Sequence, residues 1–119
     1  MTDYAIVMTT TDDAAEAKRL TGSVVRARFA ACAQISAPIT STYWWNGVVE
    51  TASEYRVEFK TRREFADRLV QHIKALHSYD VPEVLVVPIL GGNPAYLAWI
   101  DQETSREPGQ QADQASPQP

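Results

Sequence analysis

The residues with the most varied chemistry lie in one short segment, His77-Ser78-Tyr79-Asp80-Val81-Pro82-Glu83. It combines an imidazole, a phenol and carboxylates, and imidazole nitrogen and carboxylate oxygen are common metal ligands. His77 is therefore a candidate ligand, with Glu83 or a thiolate of the same or another subunit as its partner. The alternative is that His77 ends a helix, where the helix dipole favours a positively charged side chain.

The thiolate would come from Cys32, the single cysteine of the sequence. A thiolate is a soft ligand that suits Cu(I) and Zn(II). The neighbouring residues Ala30, Ala31 and Ala33 favour instead a small buried side chain, which is the usual environment of a free cysteine. No H-x-x-x-H, C-x-x-C or paired-carboxylate spacing adds support for a metal site.

A second set of side chains predicts a polar pocket. Glu54 and Lys60 are candidate pocket residues, although a solvated strand face or an ion pair between subunits would explain them equally well. Tyr79 and Glu83 lie on either side of Pro82, which favours extended backbone in the residue before it. We expect both side chains to close the same pocket.

The aromatic candidate for this pocket is Trp45, which follows Tyr43 and Trp44 and directly precedes Asn46-Gly47. The Asn-Gly pair predicts a type I′ hairpin turn, because both residues tolerate a positive φ. The three rings are therefore expected near the tip of a hairpin arm. A ligand stacks well on such rings, but aromatic residues also anchor protein interfaces, and both interpretations fit the sequence.

Hydrophobic periodicity predicts the elements that position these residues. Apolar residues three and four apart indicate helices over about 14–28 and 65–77. Thr61 and Glu64 fit a capping box before the second helix, and Asn93 and Pro94 fit the cap and first residue of a third helix. The predicted strands are 4–8, 29–35 with a continuation over 40–45, 48–61 and 84–90.

The predicted order, β-α-β-β-α-β with an extra C-terminal helix, is that of an α+β ferredoxin-like fold. Two helices would cover one face of a four-stranded antiparallel sheet and leave the other face bare. The strand over 84–90 is apolar on both faces, and such a strand must be covered on both. The sequence therefore predicts that the bare face is buried between subunits.

Composition excludes several classes of function. The formal net charge is −4, and the chain has no basic stripe of the kind that binds nucleic acid. No apolar run approaches the roughly 20 residues of a membrane helix, and the N-terminus lacks the basic and apolar regions of a secretory signal, so we expect a cytoplasmic protein. We find no nucleophile–base pair, phosphate loop or carboxylate dyad, and therefore expect no enzyme.

Residues 1–103 are expected to form one domain. The following residues are mainly Gln, Pro, Ser, Asp and Gly without periodicity, which predicts a disordered, acidic tail over 104–119. We expect this tail to contribute little to folding.

Several motifs, in order, resemble those of the CutA divalent-cation tolerance proteins across about residues 4–103. The resemblance implies a homotrimer whose hairpin arms clasp neighbouring subunits, similar in fold and assembly to the PII signalling proteins. It also implies a loosely defined role in tolerance to copper and other divalent metal ions, with no obligatory cofactor. The matching motifs are Thr9-Thr10-Thr11-Asp12, Phe29-Ala30-Ala31-Cys32-Ala33-Gln34-Ile35, Ser41-Thr42-Tyr43-Trp44-Trp45-Asn46-Gly47, Glu54 with Lys60-Thr61, His77-Ser78-Tyr79-Asp80-Val81-Pro82-Glu83 and Gly92-Asn93-Pro94-Ala95-Tyr96-Leu97-Ala98-Trp99.

Three functions are compatible with this resemblance. The first is weak binding of copper or another divalent ion at clefts between subunits. The second is a PII-like signalling module that binds a small anionic ligand in the same clefts, and the third is a trimeric scaffold for a protein partner. The candidate metal ligands are Cys32, His77 and Glu83, and the candidate residues for a small ligand are Trp45, Glu54, Lys60 and Tyr79.

The chain departs from the family in one respect. The family usually carries mostly apolar residues between the positions of Glu54 and Lys60, whereas this chain has Arg56 and Glu58 there. Charges buried near the centre of a trimer are costly unless they are paired. We therefore predict that Arg56 and Glu58 form ion pairs across subunits.

Overall fold

The computed structural model describes residues 3–104. Apart from Thr104, the predicted disordered tail lies outside the described residues. Among those residues, no helix is both long enough and apolar enough to cross a membrane. The elements are strands β1 (Tyr4–Thr11), β2 (Cys32–Ile35), β3 (Ile39–Trp45), β4 (Val48–Arg62) and β5 (Val84–Ile89), and helices α1 (Ala14–Arg26), α2 (Ala66–Leu76) and α3 (Pro94–Glu103).

One antiparallel sheet joins all the strands, in the order β2-β4-β1-β5, with β3 also paired to β4. Val7 in β1 lies opposite Phe59 in β4 on one side and Val86 in β5 on the other. The long strand β4 pairs with β2 and β1 along its second half and with β3 along its first half. This order, with the helices between the strands, confirms the predicted α+β ferredoxin-like fold.

The hairpin arm, formed by β3 and the first half of β4, has the predicted turn. Trp45 lies opposite Val48, and the two residues between them, Asn46 and Gly47, have φ angles of 49° and 77°. Positive φ at both central positions defines the type I′ turn, whose twist matches that of the flanking strands. The turn thus fixes the register that brings the β3 side chains beside those of β4.

The core lies between one face of the sheet and helices α1 and α2. Alternate residues of the central strands point toward the helices, so their apolar side chains are removed from water. Predicted apolar positions on both helices meet them. The largest fully buried apolar side chains in this core are Phe59, Val7, Val57, Leu20, Val24, Leu69 and Ile73.

The opposite face, here called the open face, is covered at one end by α3. Ile100 is buried there, and the Tyr4 hydroxyl donates a hydrogen bond to Asp101 at 2.5 Å. Further along, Leu85 is 51% exposed and Val87 38% exposed. The strand that is apolar on both faces is therefore covered by helices on one face and leaves apolar surface uncovered on the other.

Two predicted details at helix starts differ in outcome. Asn93 caps α3 by accepting a hydrogen bond from the backbone of Ala95, with Pro94 at the first helical position, as predicted. The prediction of a capping box formed by Thr61 and Glu64 is wrong. The Thr61 hydroxyl is buried and donates instead to the Phe29 carbonyl at 2.6 Å, because this residue still belongs to β4 and points into the core.

Thr104, the last described residue, is packed against the rest of the domain. Thr104 is fully buried, and the Arg62 guanidinium donates to its hydroxyl at 3.0 Å and to its carbonyl at 2.7 Å. Arg28 donates to the carbonyl and carboxylate of Glu103, both at 3.0 Å. Two arginines, one in β4 and one in the segment after α1, therefore hold the end of α3 in place.

Candidate functional site

A cleft of about 610 Å³ opens between the hairpin arm and the segment that precedes β5. The first half of β4 forms its floor, and the end of β1 contributes one residue. Because β4 belongs to both the sheet and the hairpin arm, the cleft extends from the edge of the sheet along the arm. We call it the acidic cleft, and its lining residues are Thr10, Ser41, Thr42, Tyr43, Trp45, Glu50, Glu54, Tyr79, Asp80, Val81 and Glu83.

The acidic cleft brings together four of the seven residues that the sequence singled out. Trp45 and Glu54 reach it from the hairpin arm and β4, and Tyr79 and Glu83 reach it from the segment before β5. Tyr79 and Glu83 both line this cleft. Lys60, Cys32 and His77 are not among its lining residues.

Glu54 and Tyr79 are joined directly. The Tyr79 hydroxyl donates a hydrogen bond to Oε2 of Glu54 at 2.9 Å, and Glu54 is buried. Burial of Tyr79, then the hydrogen bond and the negative charge of Glu54, raise the pKa of the phenol well above its ordinary value. Tyr79 is thus a neutral hydrogen-bond donor that orients one carboxylate of the cleft.

The charged side chains that line the described cleft are all acidic. Its lining contains the four carboxylates Glu50, Glu54, Asp80 and Glu83, and none of the described lining residues is Lys, Arg or His. Clustered carboxylates in a concave surface produce a negative potential that attracts cations and repels anions. The described cleft therefore suits a cation better than the anionic ligand of the signalling interpretation.

His77 lies behind the cleft and has a different environment from the one predicted. Its side chain is fully buried. Its Nδ1 accepts a hydrogen bond from the Tyr79 amide at 3.0 Å, and its Nε2 lies 2.7 Å from the Thr10 carbonyl. An amide can only donate and a carbonyl can only accept, so the proton lies on Nε2. Both ring nitrogens are therefore engaged by the protein, which leaves no lone pair for a metal ion.

Sequence analysis missed Glu16, the buried carboxylate next to His77. Its oxygens accept hydrogen bonds from the Thr11 hydroxyl at 2.5 Å, the Ser78 amide at 2.9 Å and the Ser78 hydroxyl at 3.0 Å. Burial alone would raise the pKa of Glu16, but these hydrogen bonds, with a smaller contribution from His77, lower it below its ordinary value. A glutamate in the first turn of a helix is common. Glu16 differs from an ordinary one only in accepting hydrogen bonds from Ser78, in a loop far away in the sequence.

Cys32 and Lys60 lie together at the other end of the sheet. Cys32 pairs with Lys60 across β2 and β4, whereas Thr10, which contacts His77, pairs with Arg56. Four residues along a strand correspond to about 13 Å, so Cys32 and His77 are far apart in one chain. Lys60 donates a hydrogen bond to the side chain of Gln34, and burial, with a smaller contribution from Cys32, raises the pKa of Tyr96.

The predicted metal set of Cys32, His77 and Glu83 therefore does not converge in a single chain. Within residues 3–104, no three His, Cys, Asp or Glu side chains are close enough to hold a metal ion on their own. Glu83 alone of the set lies in the acidic cleft.

The ferredoxin-like sheet, the extended hairpin arm and the cleft beside the arm define a small α+β protein with an acidic cleft. The family model described as CutA1 divalent ion tolerance protein matches residues 5–103. This chain belongs to the CutA1 divalent ion tolerance family.

Individual relatives agree with this family. The rice protein named Protein CutA 1, chloroplastic, is 44% identical over 99 residues, which cover 83% of this chain and 56% of the relative. The divalent-cation tolerance protein CutA of Pectobacterium atrosepticum is 36% identical over 99 residues, covering 83% of this chain and 90% of the relative. The chain thus spans about half the length of the plant relative and most of the bacterial one.

A solved structure agrees as well. The crystal structure of CutA1 from Oryza sativa superposes with a TM-score of 0.83 at 43% sequence identity, and the match covers 87% of this chain and 94% of that chain.

Proposed function

We propose that this protein contributes to divalent-cation tolerance by binding copper or another divalent ion weakly in the acidic cleft. The proposal is supported by the cluster of carboxylates in the cleft, whose described lining contains no Lys, Arg or His. It is also supported by membership of a divalent ion tolerance family. Carboxylate oxygens are general ligands for divalent ions. The proposal is for binding rather than catalysis.

The separation of the carboxylates predicts the strength of this binding. Because no three metal-binding side chains of the described residues converge in one chain, the ion would keep several water ligands. The weakest calcium modules of proteins have dissociation constants of about 10⁻⁴–10⁻³ M, and we expect binding in this weak range here. Cu(II) is expected to bind more tightly than Zn(II) or Mn(II), since it leads the stability order of first-row divalent ions.

The assembly that we propose is a homotrimer with the open faces packed together. Its support is the exposed apolar surface of the open face and arm, where Leu85 is 51% and Trp44 73% exposed. Burial of such surface contributes about 25 cal/mol per Å².

Arg56 and Glu58 point to the same open face, and no ion pair within residues 3–104 involves either of them. Their pairing across subunits stays a prediction, and a large stabilisation of the trimer by Arg56→Leu or Glu58→Leu would argue against it.

The location that we propose is the cytoplasm, on the composition alone. The rice relative carries the word chloroplastic in its name, so relatives are not confined to one compartment. Fractionation of the native host with an antibody against the chain tests this proposal.

A chelator-competition titration of the purified, tag-free protein with Cu(I), Cu(II) and Zn(II) tests the proposed binding. Glu83→Gln and Glu54→Gln remove carboxylates of the acidic cleft, and both are expected to weaken Cu(II) binding about tenfold. Glu64→Gln is the matched control, because Glu64 is an exposed carboxylate outside the cleft that pairs with Arg62. It is expected to change little.

Two results would reject the proposal. Equal Cu(II) affinity in the wild type, Glu83→Gln and Glu64→Gln would show that binding is not located in the acidic cleft. Tight Cu(I) binding that Cys32→Ser abolishes would place metal chemistry at the thiolate instead.

A further inference from the structure

Glu16 lies too far behind the acidic cleft to line it, yet it contacts the segment that shapes the cleft. It is 3% exposed and is positioned by the first turn of α1, just after the Asp13 cap. A buried carboxylate is costly unless it is hydrogen-bonded. Glu16 meets this requirement through Thr11 and through two bonds to Ser78.

The bonds to Ser78 fix the loop between α2 and β5. Ser78 is itself exposed, and the Glu16 carboxylate accepts hydrogen bonds from both its amide and its hydroxyl. His77 and Tyr79, the residues on either side of Ser78, are held by two contacts of the His77 ring. His77 accepts from the Tyr79 amide at 3.0 Å and binds the Thr10 carbonyl at 2.7 Å.

The same loop delivers the Tyr79 hydroxyl to Glu54. The Tyr79 ring lies 4.7 Å from the His77 ring, centroid to centroid, and its hydroxyl donates to Glu54 at 2.9 Å. Hydrogen bonds therefore join Glu16 to Ser78, and hydrogen-bond and ring contacts join His77, its neighbour in the chain, to Tyr79 and so to the cleft carboxylate. Groups that orient a ligating side chain typically alter metal affinity about 10–100-fold when removed.

From these contacts we infer that Glu16 is a positioning residue of the acidic cleft, acting through the loop to hold Tyr79 on Glu54. This inference rests on the proposed function in so far as Glu54 is a cation ligand. The geometric part, that Glu16 determines the conformation of residues 77–79, does not depend on any cation.

The geometric part is tested by amide hydrogen exchange of the full chain without metal. Glu16→Gln removes the charge and one acceptor while keeping the size of the side chain. We expect exchange of the Ser78 and Tyr79 amides to accelerate about tenfold or more, and by a clearly larger factor than that of the β1 and β4 amides, which report only the global loss of stability. Ser78→Ala, which removes the hydroxyl but keeps the Glu16–amide bond, is expected to give a smaller acceleration at the same two amides.

Global destabilisation would give a different result. It would accelerate all slowly exchanging amides together, including those of β1 and β4. Unchanged exchange at Ser78 and Tyr79 in Glu16→Gln, or acceleration that is uniform across the sheet, would overturn the inference. Glu64→Gln is the control for the loss of one surface carboxylate and is expected to leave these amides unchanged.

The functional part is tested by a double-mutant cycle on Cu(II) affinity. Glu16→Gln is expected to weaken binding about tenfold in the wild type and to have no effect in the Tyr79→Phe background, because its influence passes through Tyr79. Additive losses would overturn the route through Tyr79. Absence of Cu(II) binding by the wild type, together with selective amide acceleration, would reject the proposed function while supporting Glu16 as the residue that positions the loop.

Discussion

The Tyr79 hydroxyl and Oε2 of Glu54 lie 2.9 Å apart, and this hydrogen bond joins the loop before β5 to the middle of β4. His77 accepts a hydrogen bond from the amide of the same tyrosine, and Glu16 accepts one from the amide of Ser78, which lies between them. One wall of the acidic cleft is therefore tied both to the sheet and to α1. The shape of the cleft depends on buried contacts behind it as well as on the residues that line it.

Replacement of Tyr79 by Phe removes the hydrogen bond and keeps the ring. Because the acceptor is a buried carboxylate, we expect the free energy of unfolding to fall by about 1–3 kcal/mol. Affinity for Cu(II) is expected to fall about tenfold, since Glu54 loses its orienting partner. Urea unfolding and chelator competition measure the two effects. Tyr43→Phe is the control, because Tyr43 lines the same cleft, and equal effects of the two substitutions would contradict the prediction.

Glu16 is expected to make stability depend on pH. Its pKa is lowered below the ordinary value of 4.5. The stabilisation from such a group is complete above the pKa of the unfolded chain and is lost as the pH falls through the lower value of the folded chain. The stability difference between the wild type and Glu16→Gln should therefore be constant near neutral pH and shrink below about pH 4.5. Paired urea unfolding curves at several pH values measure it, and a difference that grows in acid would contradict the sign.

The open face is expected to mediate assembly. Leu85→Asp would place a charge in the proposed interface and dissociate the oligomer, because an unpaired buried charge costs several kcal/mol. Leu76→Asp is a matched control on the helix layer, where Leu76 is 48% exposed against 51% for Leu85. Light scattering after gel filtration measures the mass of each variant. A trimer in Leu85→Asp, or a monomer in the wild type, would contradict the proposed assembly.

The end of α3 is expected to mark the end of the sequence needed for folding. Truncation after Thr104 keeps the contacts of Arg28 and Arg62 with the last described residues, so we expect an unchanged melting temperature. Truncation after Gln102 removes Glu103 and Thr104 and leaves two arginines without these partners. We expect a loss of about 2–3 kcal/mol from the missing hydrogen bonds. Thermal unfolding of both truncated chains measures the difference, and a large loss in the longer one would contradict the expectation that the tail contributes little.

Local signals in the sequence predicted most of the fold. Asn46-Gly47 specified a hairpin and Asn93-Pro94 specified a helix start, because in each case the backbone requirement is met by residues next to one another. Thr61 and Glu64 satisfied the same kind of local pattern and were misassigned. There a long-range bond from Thr61 to the Phe29 carbonyl takes precedence over the local cap, since Thr61 faces the core.

The site was less predictable because it depends on strand register and on distant contacts. Glu54 and Lys60 have similar surroundings in the sequence, but six residues along a strand span about 20 Å, so only Glu54 reaches the acidic cleft. His77 has the chemistry of a metal ligand, yet the Thr10 carbonyl and the Tyr79 amide engage both of its nitrogens. Glu16 is separated from Ser78 by 62 residues, and nothing near it in the sequence indicates that pairing.

The position of a bound cation tests the central claim most directly. Amide spectra of the isotopically labelled protein, recorded with substoichiometric Mn(II), report which residues lie near the paramagnetic ion. The proposal predicts that broadening begins at the lining of the acidic cleft, at Glu50, Glu54, Asp80 and Glu83, and weakens in Glu83→Gln. Broadening centred on Cys32 and Lys60, at the opposite end of the sheet, would contradict it.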